Sequence, residues 1–147
     1  MSPIAIKLFC PTLVLLLSSF ASGQAPRARK GKAPRSLTGH YVMRREEFRN
    51  RLNVEQLRDG RIKFDLLALW VSHYNPENVH NGTLQGIVKL ENGAAIYEAD
   101  GCKLKLEIVL TKIRIIQNDD ADCGFGANVT ATGSYRKVDS RKPKFDF

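Results

Sequence analysis

Between Leu37 and Tyr135 the chain alternates apolar and polar residues over short runs, and Gly-containing dipeptides cut the runs apart. In CKLKLEIVL (102–110), Cys102, Leu104, Leu106, Ile108 and Leu110 share one face, while Lys103, Lys105 and Glu107 share the other. RIKFDLLALW (61–70) repeats the pattern with Ile62, Phe64, Leu66, Ala68 and Trp70. KIRIIQ (112–117) adds Ile113 and Ile115, and TLQGIVKLE (83–91) adds Leu84, Val88 and Leu90, with Gly86 on the same face. A period of two is the signature of strands buried on one side only. Asp59-Gly60, Asn81-Gly82, Asn92-Gly93 and Asp100-Gly101 supply the positive φ angles that tight hairpins need.

These signals predict an all-β, single-domain antiparallel meander of about eight strands, near 39–45, 51–58, 61–71, 83–91, 94–99, 102–110, 112–118 and 127–138. One stretch is ambiguous: over 46–57 the spacing of Glu46, Glu47, Phe48, Arg49 and Leu52 also suits one or two helical turns. A meander that buries one face is expected to close into a barrel, because closure removes exposed edges. An open sheet or a sandwich is the competing arrangement.

The ends of the chain have a different composition. Lys7 precedes an apolar run from Leu8 to Leu17 and then small residues to Gly23, the layout of a secretory signal peptide over 1–23. A spanning helix needs roughly twenty apolar residues, so this run is too short to be one. Cys10 lies inside it and would leave with it. The segment 24–36 carries Arg27, Arg29, Lys30, Lys32 and Arg35 among Pro, Gly and Ala, and reads as a disordered basic arm able to bind polyanions by charge. Residues 139–147 form a C-terminal tail. The whole chain has a formal net charge of +8, yet 37–135 holds twelve basic and thirteen acidic residues, so the basicity belongs to the ends.

Cys102 and Cys123 remain after signal removal, and an even pair in an exported chain is read as a disulfide. If 102–110 and 112–118 form a hairpin about Thr111, Cys102 lies opposite position 120, a short loop from Cys123. Neither the Cys-x-x-Cys pair of redox centres nor a four-ligand zinc cluster occurs. His73 and His80 flank Glu77 in HYNPENVH and read as solvated loop residues, and Asp119, Asp120 and Asp122 as a polar loop. No resident metal or cofactor is expected. Nucleophile-elbow, phosphate-loop and His-Glu-x-x-His motifs are also missing from the sequence, so the chain is expected not to be an enzyme. Asn81-Gly-Thr and Asn128-Val-Thr are glycosylation acceptors if the source is eukaryotic.

SLTGHYVM (36–43) resembles the opening strand of the lipocalin and avidin barrels, where Gly-x-Trp begins the sheet and Tyr41 here takes the Trp position. Biotin pockets of the avidin type use several tryptophans, and Trp70 is the only one here, so biotin binding is not carried over. Cys102, CGFGANV (123–129) and GSY (133–135) resemble a group of small uncharacterised exported proteins, mainly bacterial, with a Cys…CGFGxNV…GxY pattern. That likeness spans 37–138 and implies one compact, disulfide-linked domain.

The expected function is a secreted or periplasmic binding module. One form holds a small apolar ligand inside the barrel, lined by Phe64, Trp70, Tyr97, Phe125 and Tyr135. The other is an extracellular interaction protein or enzyme inhibitor acting on a protein partner, with polyanion binding through the arm.

Overall fold

The structure is a computed structural model and describes residues 36–147. Eight strands follow one another: β1 (Gly39–Arg45), β2 (Phe48–Gln56), β3 (Arg61–Val71), β4 (Val79–Glu91), β5 (Ala94–Ala99), β6 (Cys102–Val109), β7 (Lys112–Gln117) and β8 (Gly133–Asp139). Each pairs antiparallel with the next, and β8 returns to β1 through Tyr41↔Lys137 and Val42↔Arg136, so the sheet closes as a barrel. The first strand shifts register between His40 and Tyr41, and such a bulge helps a strand bend into a closed wall.

The alternation in sequence becomes the two faces of this wall. Leu52, Val54, Ile62, Phe64, Leu66, Leu104, Leu106, Ile113, Ile115 and Tyr135 point inward and lose all contact with solvent. An eight-stranded barrel has an interior of about the width its own side chains fill, and this lumen is filled by them. Each large apolar side chain so buried contributes about 1.5–3 kcal/mol.

One buried polar group ties the core to its end. Asn50 faces inward on β2 where the β2–β3 pairing lapses, and its amide oxygen accepts the Leu69 N–H at 3.0 Å. Its Nδ2 donates to the Thr130 carbonyl at 2.8 Å and to the Tyr135 hydroxyl at 2.9 Å. That hydroxyl in turn donates to Ala131 O at 2.7 Å, so every polar atom is satisfied.

Four expectations need correction. The 46–57 segment forms no helix: Glu46 adopts φ 49° in a tight turn and β2 starts at Phe48, over which the Arg45 guanidinium sits at 5.4 Å. Asn81-Gly82 is not a turn, because β4 begins at Val79 and pairs Asn81 with Leu69 and Gly82 with Ala68. The reversal lies earlier, where the Ser72 Oγ accepts the N–H groups of Tyr74 and Asn75. Residues 127–132 are not strand: the final strand starts at Gly133, and Asn128 stands at φ 64° in the connection before it. Lastly, β6 and β7 turn over Leu110 and Thr111 with Val109↔Lys112 paired, so Leu110 sits at φ 57° on the surface, 94% exposed, instead of in the core.

Beyond β8 the chain folds back along the wall. Pro143 is buried, Lys142 pairs with Glu55 at 2.7 Å, and the Lys63 ammonium lies over the rings of Phe145 and Phe147.

Candidate functional site

The longest lapse in the pairing of the wall lies between β4 and β5. These strands leave the Asn92-Gly93 turn paired only through Glu91↔Ala94 and Leu90↔Ala95, and then part. β5 stays with β6 along its whole length, and β4 stays with β3 from Val79 to Lys89. An aromatic side chain of β5 lies beside this parting. The Tyr97 ring lies against Gly86, where a Cβ would come within 2.7 Å of it, and meets Phe64 edge-on at 5.4 Å between centroids. Gly86 is therefore the residue that admits the ring.

The wide end of this seam is stitched by the β7–β8 connection. Cys123 is bonded to Cys102 at the start of β6, the Gly126 N–H donates to Asn81 O on β4 at 3.0 Å, and the Phe125 ring sits on Gly82, with no room for a Cβ there. The His80 Nδ1–H donates to Ala127 O at 2.7 Å. Cys-Gly-Phe-Gly thus bridges β6 to β4 across the gap.

What remains open is a cleft of about 530 Å³. Leu84, Tyr97 and the disulfide line its inner side, and Thr83 and Gln85 its β4 side. Three carboxylates, Asp65, Asp100 and Asp122, also line it, and no cationic side chain does. Asp65 is held in place from outside. Its carboxylate can only accept, so the Asn53 amide presents Nδ2 to it at 3.1 Å and Oδ1 to His40, whose Nδ1–H donates at 2.7 Å. Asp122 accepts the Gly124 N–H at 3.0 Å, which turns the chain just after Cys123.

The edge of β4 in the cleft carries backbone groups without partners among the described residues. Leu90 N donates toward β3, to Gly60 O, and Asn81 O faces the other way, to Gly126. By the alternation of an antiparallel strand, the N–H and C=O groups of Thr83, Gln85 and Ile87 face the seam. Ile87 on β4 and Ile96 on β5 stand beside it, 47% and 49% exposed.

A second concavity, of about 570 Å³, lies at the opposite end of the barrel between Leu37, Leu110, Lys137 and Val138. Lys137 donates to Ser36 O there, and burial lowers its pKa.

Of the five aromatic residues expected to line a ligand, Phe64 and Tyr135 belong to the packed core. Phe64 and Tyr97 meet; Trp70 stands at the barrel's end, its indole N–H on Glu47 at 2.9 Å and its ring 5.3 Å from His80. His80 is thus a strand residue, not a loop residue, while His73 is exposed against Tyr74. The acceptor Asn81 is exposed on β4 instead of in a turn, and Asn128 is exposed in the connection. Arg27, Arg29, Lys30, Lys32 and Arg35 lie outside the described residues, as does the proposed signal peptide. Among the described residues no three His, Cys, Asp or Glu side chains gather as a metal site, and no helix is long and apolar enough to cross a membrane. Asp65, Thr83, Gln85 and Ile87 were not singled out from sequence; the length mismatch between the β4 and β5 runs and the inward Gly86 were the signals available.

Comparisons of the chain with protein-family models, with curated proteins and with solved structures return no match.

Proposed function

We propose that this protein is a non-enzymatic binding module of the extracytoplasmic space that engages a polypeptide partner at the seam between β4 and β5. The carrying observation is the cleft itself, where an unpaired strand edge and an acidic lining coincide in an otherwise closed wall. The side chains packed into the lumen argue against the alternative, a small apolar ligand held inside the barrel. The Cys102–Cys123 disulfide suits an oxidising compartment, which supports export. Affinity capture from the source organism tests the reading with two variants. Thr83→Arg should remove a captured protein, and Leu110→Glu, at the opposite end of the barrel, should leave it bound. Capture that ignores Thr83→Arg and disappears with Leu110→Glu would move the site to the other concavity.

A further inference from the structure

Resting on the assignment of the seam as the binding site, we infer that the partner presents an extended segment of alternating basic and apolar residues, which adds to β4 as a strand. Exposed strand edges are templates for such addition, with main-chain hydrogen bonds giving affinity and alternate side chains giving specificity. Three successive edge positions, Thr83, Gln85 and Ile87, present their backbone donors and acceptors here, over a length of about 13 Å at the usual rise per strand residue. The β5 edge across the seam is likewise unpaired with β4 beyond Ala95, and the seam's wide end is already occupied in this manner by Gly126 on Asn81. The chain's own connection therefore begins a pairing that an incoming segment would continue along the same edge.

Charge selects the occupant. Asp65, Asp100 and Asp122 surround the edge with no cationic side chain among the lining residues; Lys63 on β3, opposite Ile87, lies over the Phe145 and Phe147 rings, and Lys89 and Lys103 are engaged by Glu91 at 2.7 Å and Glu98 at 3.0 Å. A second copy of this barrel would bring the same carboxylates face to face. A segment with a lysine or arginine at every second residue would put its cations toward the carboxylates and its apolar residues toward Leu84 and Tyr97. His40 and Asn53 act as positioning residues, since their hydrogen bonds orient Asp65.

The probe is the capped peptide Ac-Lys-Val-Lys-Val-Lys-Val-Lys-NH2, titrated into the 15N-labelled full chain. Binding should shift the amide signals of Thr83, Gln85 and Ile87 and slow their hydrogen exchange. The same peptide N-methylated at every residue, which keeps its charges and has no backbone donor left for the β4 edge in either strand direction, should bind at least about tenfold more weakly, a loss of about 1.4 kcal/mol. Gln85→Pro removes one edge donor at a position where proline is tolerated, because its N–H serves no ladder. It should abolish binding, while Leu110→Glu, at the opposite end of the barrel, should bind as the parent does. Asp65→Asn and Asp122→Asn should each weaken binding, and the Glu-for-Lys peptide should not bind. Equal binding of the N-methylated peptide would overturn strand addition while leaving the seam as the site. Absence of any shift at the seam at millimolar peptide would overturn the inference as well, and the capture experiment would still judge the seam separately.

Discussion

Asn50 is the residue on which one end of the barrel depends. Its amide replaces a missing rung between β2 and β3 and holds the Thr130 carbonyl and the Tyr135 hydroxyl. Removing it leaves the part-buried Leu69 N–H and Thr130 carbonyl without these partners, each at a cost of about 1–3 kcal/mol. Asn50→Ala should therefore lower unfolding stability by about 3 kcal/mol in urea. Tyr135→Phe should cost less, because Asn50 Nδ2 keeps Thr130 O and only the hydroxyl's own bonds are lost. At the same scale, Gly86 shows why a glycine sits in the middle of a strand: its missing side chain is the seat of the Tyr97 ring.

Among the elements, the β7–β8 connection has the largest structural task for its size. It carries no strand, yet its disulfide, its Gly126–Asn81 hydrogen bond and its Phe125 ring join β6 to β4 across the seam. The bridge links residues 21 apart, and closing a loop of that length stabilises by about 3 kcal/mol in the chain-entropy model. A Cys102→Ala/Cys123→Ala double variant should unfold at correspondingly lower urea, and hydrogen exchange should report faster opening at Gly126 than at Ile115. Equal exchange rates at both amides in that variant would mean that the connection holds without the bridge. The last turn of the connection is anchored independently, since Gln117 Oε1 accepts the Ala131 N–H at 3.0 Å and its own N–H donates to Thr132 Oγ1 at 3.0 Å.

For the molecule as a whole, two buried tyrosines set the alkaline limit. Burial pushes the Tyr41 phenol up to about 12, and it raises Tyr135 further, against a weaker opposing effect of the Asn50 hydrogen bond. The folded chain therefore holds these protons more tightly than the unfolded chain, whose tyrosines ionise near about 10. Their contribution is fully present below about pH 10 and is lost as pH rises from about 10 toward 12 and beyond. Urea midpoints measured from pH 8 upward should stay level with respect to these groups and then fall steeply above about pH 10. Tyr41→Phe should flatten that fall, and absorbance at the phenolate band should show the tyrosines ionising together with unfolding.

The periodicity of two, the hairpin dipeptides at 59–60, 92–93 and 100–101, and the cysteine pair made an eight-stranded, disulfide-linked antiparallel sheet legible in the sequence. The reason is local: alternation decides which side chains face inward, and an Asn-Gly or Asp-Gly pair reverses the chain wherever the flanking strands can pair. Asn81-Gly82 shows the limit of that reasoning. The same dipeptide became strand because eleven consecutive positions of β3 found partners in β4, and long-range pairing outweighs a turn preference. The seam could not be read in the same way. Whether a strand edge is satisfied depends on its neighbour's length and on a connection that crosses from β6 to β4. Those contacts join residues far apart in the chain, so only the tertiary structure decided that the wall closes around a filled core and stays open along the β4–β5 seam.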